Sequence, residues 1–511
     1  MDVTRRNFMK AAGTTAGVMI ATGWSPLSYA QNEKVRLAMI GTGSQNRIHI
    51  EQGIAGNPQI EVVAMSDCLL PSLAGGLKTL IPDPKPDDPD DKKQAIIAKQ
   101  NEFKPHCYLN YKDMLAKEKD NIDAVLIATP FKTHYQIVMD CLDAGKHVFC
   151  EKTLADTVER CRNIVTKCHE TGKFVQCGHQ RRYNPEYIHL LQNYLDGRAG
   201  RIQYIEGQWH RYGDWKRPMP RKIDPTDPAK ERTIPYELSE AEKKLIPDLA
   251  KMVNWRVYEE YSAGLISELA THHIELVNWV LGMPPTRVMA TGGIDYWKDD
   301  RDTFDNIVIV FEYDIKRSRG RFRASDPKAS GNQLEPTALI APYTVRFNWT
   351  GTLQSSLKSE GVLFVGEKGT FEMHERNFDG SGRGSWYQPE PVKIWLDPAT
   401  MQETKDEKII AWIKSTGQSQ KYSRLVDQPL ALYKDELGDP AYVKNPDVLQ
   451  FEAFAECVKT GTPPRTNQMC GLMASICDIA AHEAATKKEV VTIDPAWYTF
   501  DFETPDPFVI A

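Results

Sequence analysis

The stretch Val35-Arg36-Leu37-Ala38-Met39-Ile40-Gly41-Thr42-Gly43-Ser44-Gln45-Asn46 joins a short apolar run to a glycine-rich turn. A helical pattern continues to residue 54, a second apolar run covers residues 60–66, and Asp67 follows it directly. A strand, a glycine turn, a helix, a strand and an acid in this order, within about thirty residues, are typical of a unit that binds a dinucleotide. The stretch therefore predicts the start of a parallel α/β sheet.

Apolar runs of the buried type alternate with helical patterns up to residue 179. Strands are predicted at residues 124–128, 146–150 and 174–177, and helices at residues 135–144 and 154–170. Residues 82–93 are rich in Pro, Asp and Lys, which indicates an exposed insertion without a core of its own. Strands that alternate with helices predict a doubly wound parallel sheet of the Rossmann type over residues 31–179.

After residue 179 the pattern changes to alternating polar and apolar positions. Half-buried strands are predicted at residues 202–209, 304–313, 345–349 and 361–371, with helices at 264–281, 451–460 and 470–487. Residues 217–248 and 377–445 are rich in Pro, Lys, Asp and Gly, which is typical of long surface excursions. Residues 180–511 are therefore predicted to form an α+β domain for substrate binding and oligomerisation, with a large, mostly antiparallel sheet and long insertions.

Residues 1–30 indicate an export signal. Arg5 and Arg6 precede an apolar stretch at residues 11–23, and small residues end at Ala30. This is the pattern of a twin-arginine signal, which sends folded proteins through the twin-arginine translocation machinery. A membrane anchor is the alternative, but the apolar stretch is shorter than the ~20 residues that span a bilayer. We predict cleavage after Ala30 and a location in the periplasm or outside the cell.

The composition is that of an ordinary globular protein. The chain has 511 residues, 41% of them hydrophobic and 26% charged, with a formal net charge of −6. This charge leaves no basic footprint for nucleic acid. No apolar run after residue 30 is long enough to cross a membrane. We therefore expect the mature chain to bind neither nucleic acid nor a membrane.

The ten cysteines contain no C-x-x-C pair and are interpreted as small core residues. One disulfide bridge is the alternative, because exported proteins can form disulfides.

The glycine turn and Asp67 predict the cofactor. Gly41 permits the tight bend, and Gly43 lets the backbone approach a pyrophosphate at the start of the helix. Asp67 can accept both ribose hydroxyls and would repel a 2′-phosphate, which favours NAD over NADP. The alternative is an α/β turn that binds no ligand. The contacts predicted from the turn itself are Gly41, Gly43, Ser44, Gln45 and Asn46, the last at the position where a third glycine often stands.

Two further segments carry groups suited to proton transfer. Lys152 follows a strand of the first sheet, where ligands of parallel sheets bind, although a surface charge is the alternative. Glu268 and His272 fall on one stripe of an otherwise apolar helix. A core histidine is the alternative for His272, and a metal held between Glu268 and His272 is disfavoured because no third ligand pattern stands out. We therefore predict no metal.

A third set of side chains is suited to a polyhydroxylated ligand. Aromatic rings and forked guanidinium groups can pack on and hydrogen-bond such a ligand. Ordinary strand packing is the alternative. The predicted substrate contacts are Arg181, Trp209, Tyr212, Trp255, Arg256 and His273.

In its motifs and their order the chain resembles the family of glucose–fructose oxidoreductase, inositol dehydrogenase and rhizopine-catabolism proteins (Gfo/Idh/MocA). The resemblance covers residues 35–492. The motifs are the glycine turn, Ala128-Thr129-Pro130 with His134, Glu151-Lys152-Thr153, Gln180-Arg181-Arg182-Tyr183-Asn184-Pro185, the helix of Glu268 and His272, and Val365-Gly366-Glu367-Lys368-Gly369-Thr370.

The resemblance implies roles for these residues. The family's Glu-Lys-Pro signature stands here as Glu151-Lys152-Thr153, which makes Lys152 the catalytic lysine and places Glu151 at the nicotinamide side of the cofactor. His272 corresponds to the general base that takes the hydroxyl proton during hydride transfer. Glu268 stands where the family has Asp. The further cofactor contacts that the resemblance implies are Thr129, Pro130, His134 and Gln180.

The expected function is that of an exported oxidoreductase. It would move a hydride between a secondary hydroxyl of a sugar, sugar derivative or cyclitol and a tightly held NAD, since free dinucleotide is not replenished outside the cytoplasm. Some relatives instead cleave glycosides through transient oxidation by bound NAD, but that branch lacks the lysine, so Lys152 argues against it. A non-catalytic sugar-binding relative is disfavoured because Lys152 and His272 occur together. We also expect a homo-oligomer.

Overall fold

The computed structural model describes most of the chain outside its N-terminus and several loops. The described residues are 34–197, 199–223, 233–317, 319, 322–323, 333–334, 339–356, 359–367, 369–373, 392–396, 423–425 and 446–510. The predicted export signal at residues 1–30 and most of the predicted arm at residues 377–445 lie outside these ranges.

The first domain is built on a six-stranded sheet. Its strands are β1 (Val35–Ile40), β2 (Ile60–Ser66), β3 (Cys107–Tyr108), β4 (Ala124–Ile127), β5 (His147–Cys150) and β6 (Val175–Cys177). They lie in the order β3-β2-β1-β4-β5-β6, and all neighbouring pairs are parallel. The predicted doubly wound parallel sheet is thus confirmed. The strand order reverses between β1 and β4, which is where ligands of such sheets bind.

The helices of the first domain follow its strands. They are α1 (Ser44–His49, continued by a π-helical turn Ile50–Ile54), α2 (Leu70–Leu80), α3 (Asp90–Phe103), α4 (Tyr111–Lys117), α5 (His134–Asp143) and α6 (Val158–Thr171). Helix α3 buries no residue, so the segment that begins at residue 82 has no core of its own, as predicted. Helix α6 begins four residues later than expected because the hydroxyl of Thr157 accepts a hydrogen bond from the Arg160 amide and caps the helix there.

The second domain contains a nine-stranded sheet that is antiparallel except for one pair. The strands are β7 (Ile202–His210), β10 (Arg287–Gly293), β11 (Asn306–Arg317), β14 (Leu339–Thr352), β15 (Glu360–Gly366), β16 (Gly369–Met373), β17 (Val392–Leu396), β18 (Ser423–Leu425) and β19 (Val491–Thr492). Their order is β18-β17-β16-β15-β7-β14-β11-β10-β19, and β7 and β14 are the parallel pair. Two small hairpins pair β8 (Arg221–Ile223) with β9 (Thr233–Pro235), and β12 (Phe322–Arg323) with β13 (Gln333–Leu334). The predicted α+β domain is confirmed.

The helices of the second domain include the helix that carries His272. They are α7 (Pro185–Leu195), α8 (Glu240–Lys243), α9 (Leu249–Val253), α10 (Thr271–Leu281, preceded by a π-helical turn Ile266–Ala270), α11 (Pro446–Thr460) and α12 (Gln468–Lys487). Short 3-10 turns lie at Lys104–His106, Lys119–Asn121, Phe131–Thr133, Gln180–Tyr183, Trp255–Val257 and Pro495–Tyr498. No helix in the described ranges is both long enough and apolar enough to cross a bilayer.

The last two helices connect the domains. Phe451, Phe454 and Val458 of α11 are fully buried in one cluster with Val35 and Leu37 of β1. Helix α12 belongs to the larger cluster, which runs from the other face of the first sheet into the second domain. The domain boundary at residue 179 stays a prediction. The core of the first domain is completed by residues of α11, which follows the second sheet's long strands in the chain.

Candidate active site

A cavity of about 750 Å³ lies at the carboxyl ends of β1, β2 and β4. Its volume is within the range of about 300–1,000 Å³ that is usual for ligand pockets. One wall comes from the first domain and the facing wall from residues 217–220 and 245–256 of the second. The predicted site residues that line it are Gly41, Gly43, Ser44, Gln45, Asp67, Thr129, Pro130, Trp255 and Arg256.

The two glycines of the turn have different roles. Gly41 has φ +79°, and a Cβ added there would lie 2.8 Å from the Ala128 carbonyl oxygen, so this position requires glycine. A Cβ added at Gly43 would meet nothing within 4 Å, so Gly43 keeps the cavity wall open to a ligand. Asn46 is buried, and its amide donates to the Gly41 carbonyl over 2.6 Å. Asn46 therefore braces the turn from behind.

Asp67 presents a carboxylate to the same cavity. One oxygen accepts the Thr42 amide at 2.7 Å and the other accepts the Leu69 amide at 2.9 Å. Burial raises the pKa of Asp67, and the hydrogen bonds from Leu69 and Thr42 oppose that rise. A carboxylate has about four acceptor positions, so Asp67 retains capacity for ribose hydroxyls. The open wall at Gly43 suits the diphosphate of NAD, and the Asp67 carboxylate suits its ribose hydroxyls.

Glu151 is buried at the end of β5 and pairs with a histidine of α1, and its predicted contact with the nicotinamide side of the cofactor stays a prediction. Its carboxylate is 2.7 Å from His49 Nε2, and both side chains are buried. Burial alone would raise the pKa of Glu151, but the hydrogen bond and charge of His49 hold it below its usual value. Burial lowers the pKa of His49, but the hydrogen bond and negative charge of Glu151 have the larger effect together, so the pKa of His49 is raised above its usual value. Glu151 therefore fixes α1 to the end of β5.

His134 connects the loops that follow β4 and β5. Its ring nitrogens lie 2.8 Å from the Thr153 carbonyl oxygen and 3.0 Å from the Thr129 carbonyl oxygen. The side chain is buried, and burial lowers its pKa. His134 thus positions the loop of Lys152 from behind the cavity wall.

Lys152 is held against the start of the long helix of the second domain. Its Nζ donates to the carbonyl oxygens of Glu268 at 3.0 Å and Ser267 at 3.3 Å, and lies 3.9 Å from the Glu268 carboxylate. The same carboxylate accepts Arg256 Nε at 3.1 Å. Because Arg256 lines the cavity, the ion pairs of Glu268 connect Lys152 to the cavity wall.

The loop of Lys152 is supported by α12. The peptide bond between Lys152 and Thr153 is cis. Thr153 Oγ1 donates to the Asp478 carboxylate at 3.0 Å, and the Leu154 amide donates to Ser475 Oγ at 3.0 Å. Burial raises the pKa of Asp478 to about 8. A neutral or poorly solvated carboxyl group therefore lies directly below the lysine loop.

His272 lies beside a second buried histidine. The rings of His272 and His179 are 6.2 Å apart and meet edge to face. In the part of the chain that the structure describes, His272 Nδ1 and both nitrogens of His179 are buried without a hydrogen-bond partner. Burial and the positive charges of Lys152 and Arg181 hold the pKa of His272 well below its usual value. Burial and the charge of Arg182 do the same to the pKa of His179.

Three of the predicted substrate contacts form a closed layer next to His272. Arg181 forms an ion pair with Glu360 and lies over the Trp209 ring, 5.2 Å from its centre. His273 is fully buried, with Glu360 at 3.0 Å from Nε2 and Trp349 Nε1 donating to Nδ1 at 3.0 Å. Both ring nitrogens of His273 are therefore occupied within the core, and the residue has no free group to offer a ligand.

The remaining predicted contacts fall in different surroundings. Gln180 begins the short turn Gln180–Tyr183. Tyr212 is 64% exposed. Trp255 lies on the cavity wall, and the Arg256 guanidinium stacks over it, 4.2 Å from the centre of its ring.

No group of three His, Cys, Asp or Glu side chains suited to a metal ion occurs in the described ranges.

Four residues of the site were missed by sequence reasoning. His49 and Asp478 form their contacts with residues far away in the chain, and neither lies in a motif. His179 directly precedes the Gln180–Pro185 motif, which is the one signal that could have drawn attention to it. Arg217 lies in a segment whose composition indicated only a surface excursion.

Two segments of the chain match profiles of one protein family. Residues 87–179 match "Oxidoreductase family, NAD-binding Rossmann fold" of GFO_IDH_MocA, and residues 242–335 match the "GFO/IDH/MocA C-terminal domain". One segment in each domain is thus similar to a Gfo/Idh/MocA family model. The first domain is accordingly an NAD-binding Rossmann domain, as Asp67 and the glycine turn predicted.

Curated relatives match part of the chain. A "Glycosyl hydrolase family 109 protein" of Shewanella putrefaciens is 28% identical over 250 residues, covering 42% of this chain and 50% of that protein. An "Inositol 2-dehydrogenase" of Rubrobacter xylanophilus is 29% identical over 184 residues, covering 36% of this chain and 46% of that protein. The chain thus spans about half the length of the curated relatives it matches.

Solved structures share the fold over nearly the full chain. A levoglucosan dehydrogenase in complex with NADH has a TM-score of 0.55 at 14% identity, covering 90% of this chain and 100% of that one. The WlbA dehydrogenase of Bordetella pertussis, in complex with NADH and UDP-GlcNAcA, has a TM-score of 0.55 at 16% identity, covering 91% and 99%. At these identities the likeness shows the fold alone.

Proposed function

We propose that this protein is an NAD-dependent oxidoreductase that acts on a secondary hydroxyl of a sugar, a sugar derivative or a cyclitol. The observation that carries the proposal is the position of Lys152. Lys152 pairs with Glu268, which in turn pairs with Arg256 on the wall of the NAD cavity. The unprotonated His272 lies nearby. An available base can take the proton of an alcohol, and a nearby cation stabilises the negative charge that develops on the oxygen. The relative named as an inositol 2-dehydrogenase supports the same reaction class.

The side chains divide the proton chemistry between them. When bound, the nicotinamide ring of NAD accepts or returns a hydride. His272 has a depressed pKa and is therefore unprotonated near neutral pH, ready to take the hydroxyl proton. Lys152 stabilises the negative charge that develops on the substrate oxygen. Glu268 balances the charges of Lys152 and Arg256 and orients both cations.

A redox-neutral glycosidase is the second candidate. The relatives named as glycosyl hydrolase family 109 proteins favour it, since they match the chain over 250 residues. Lys152 argues against it, because that branch is expected to lack the lysine of the Glu-Lys-Pro signature. Both candidates use bound NAD, so they differ in whether the hydride stays on the cofactor at the end of the reaction.

Anaerobic reduction of the bound cofactor separates the two candidates. Purified protein is loaded with NAD and mixed with a panel of sugars and cyclitols without an electron acceptor. We expect absorbance of reduced nicotinamide to persist for a true substrate and to disappear when an acceptor is added. A Lys152→Met variant, which retains the side-chain length without the charge, should reduce its NAD at least about 100-fold more slowly. Continuous phenol release from a p-nitrophenyl glycoside without acceptor would instead establish the glycosidase.

We also propose that the protein works outside the cytoplasm and as a homo-oligomer. The twin arginines Arg5 and Arg6 support export in the folded state. An exported enzyme cannot draw on a pool of free dinucleotide, so its NAD has to remain bound between turnovers. Retention of the cofactor is therefore a functional requirement under this proposal.

A further inference from the structure

Three arginines from different parts of the chain line the NAD cavity. Arg47 lies on α1, Arg217 lies between β7 and β8, and Arg256 follows α9. Arg256 is neutralised by Glu268 at 3.1 Å. For Arg47 and Arg217, by contrast, no ion pair with a carboxylate of the described ranges is present within 4.0 Å. The cavity therefore presents more positive charge than its own carboxylates balance.

Arg217 faces the glycine turn from the second domain. Its guanidinium nitrogens Nη1 and Nη2 lie 3.4 and 3.5 Å from Ser44 Oγ, the hydroxyl that directly follows Gly43. Its backbone is anchored separately, because the Arg217 amide donates to Asn254 Oδ1 over 2.6 Å. Pro218 and Pro220 line the cavity beside it and restrict the same segment. The guanidinium is thus held over the turn by a fixed backbone.

The charges around Arg217 are unfavourable without an anion. Partial desolvation, followed by the positive charges of Arg256 and Arg47, lowers the pKa of Arg217, and the charge of Glu268 opposes this only in part. Guanidinium groups that face one another repel unless an anion lies between them. The forked donors of arginine match phosphate oxygens, and a dinucleotide carries two adjacent phosphates.

We propose that Arg217 retains the cofactor by binding the diphosphate of NAD from the side opposite the glycine turn. This inference rests on the NAD site of the proposed function and assigns the slow release of NAD to one residue of the second domain. The cofactor can then leave only when the segment of Arg217, Pro218 and Pro220 moves off the turn. Arg217 is a binding residue in this proposal and has no part in hydride transfer.

The test measures cofactor release in the full chain. Protein is loaded with NADH, an excess of NAD is added, and the decay of protein-bound NADH fluorescence gives the release rate. We expect Arg217→Ala to release NADH about 10- to 100-fold faster, the usual effect of losing a hydrogen bond to a charged group. The affinity for ADP-ribose, which has the diphosphate but no nicotinamide, should fall by a similar factor. Arg217→Lys, which retains the charge but not the fork, should be intermediate.

Arg221→Ala is the matched control. Arg221 is an exposed arginine of the same segment that bonds to Thr233 within its hairpin and does not line the cavity. It should release NADH at the wild-type rate. Equal release by Arg217→Ala and wild type would overturn the role of Arg217, even if the wild type reduces its NAD with sugar. If the wild type binds no dinucleotide at all, the NAD site and the proposed function fail with it.

Discussion

Replacing Gly41 or Gly43 with alanine separates two uses of glycine in one turn. At Gly41 an alanine would adopt the left-handed backbone at φ +79°, which costs about 1–2 kcal/mol. Its methyl group would also lie 2.8 Å from the Ala128 carbonyl, and overpacking of this kind adds about 1–3 kcal/mol. We therefore expect Gly41→Ala to lower the free energy of unfolding by about 2–5 kcal/mol.

Gly43→Ala should leave stability nearly unchanged. Gly43 has φ −66°, which alanine adopts without strain, and the added methyl meets no atom within 4 Å. That methyl would project into the cavity, so we expect NAD affinity to fall by roughly 5- to 150-fold, equivalent to about 1–3 kcal/mol of overpacking. Urea unfolding of the cofactor-free protein and calorimetric titration with NAD measure the two effects. The reasoning is wrong if both variants lose the same stability, or if Gly43→Ala binds NAD like the wild type.

Three further changes address catalysis, pH and export. Lys152→Ala and His272→Ala should each lower kcat by roughly two to four orders of magnitude while NAD content stays unchanged, since both remove proton-transfer groups; full activity of either variant would return that residue to a structural role. The pKa of Asp478 is raised to about 8 in the folded protein, so the folded state binds the proton more tightly and stability falls as pH rises from about 4 to about 8. Asp478→Asn removes this titration, and the difference in unfolding free energy between about pH 5 and about pH 8 should shrink; an unchanged difference would show that Asp478 ionises normally. Replacing Arg5 and Arg6 by lysine should hold the protein in the cytoplasm, which fractionation and immunoblotting would reveal, and normal periplasmic levels would contradict the export proposal.

The first sheet could be predicted because its signals are local. The apolar run before Gly41, the turn and Asp67 follow one another in sequence, and periodicity alone separates their strands from helices. The sequence predicted a doubly wound parallel sheet but not the order of its strands, since the order depends on which strands pair across long connections. The second sheet was predicted as mostly antiparallel, but the parallel pairing of β7 with β14 has no local signal.

The site was less predictable where a side chain's partner lies far away. Glu151 follows a strand end, as a cofactor ligand would, and its carboxylate also pairs with the buried imidazole of His49, which lies 102 positions earlier in the chain. His273 adjoins His272 in sequence, but successive residues of a helix point about 100° apart, so it faces Trp349 and Glu360. Neither outcome can be derived without the tertiary neighbours.

The return of α11 and α12 to the first domain has a consequence for synthesis at the ribosome. Thr153 and Asp478 are separated by 325 positions, and Phe451 fills the core beside Val35. At about 5–20 residues per second, roughly 15 to 50 s pass between the emergence of β6 and that of α11. During this interval the nascent Rossmann half has an uncovered apolar face and an unsupported lysine loop. The domain that comes first in the chain is therefore completed only after α11 and α12 have been synthesised.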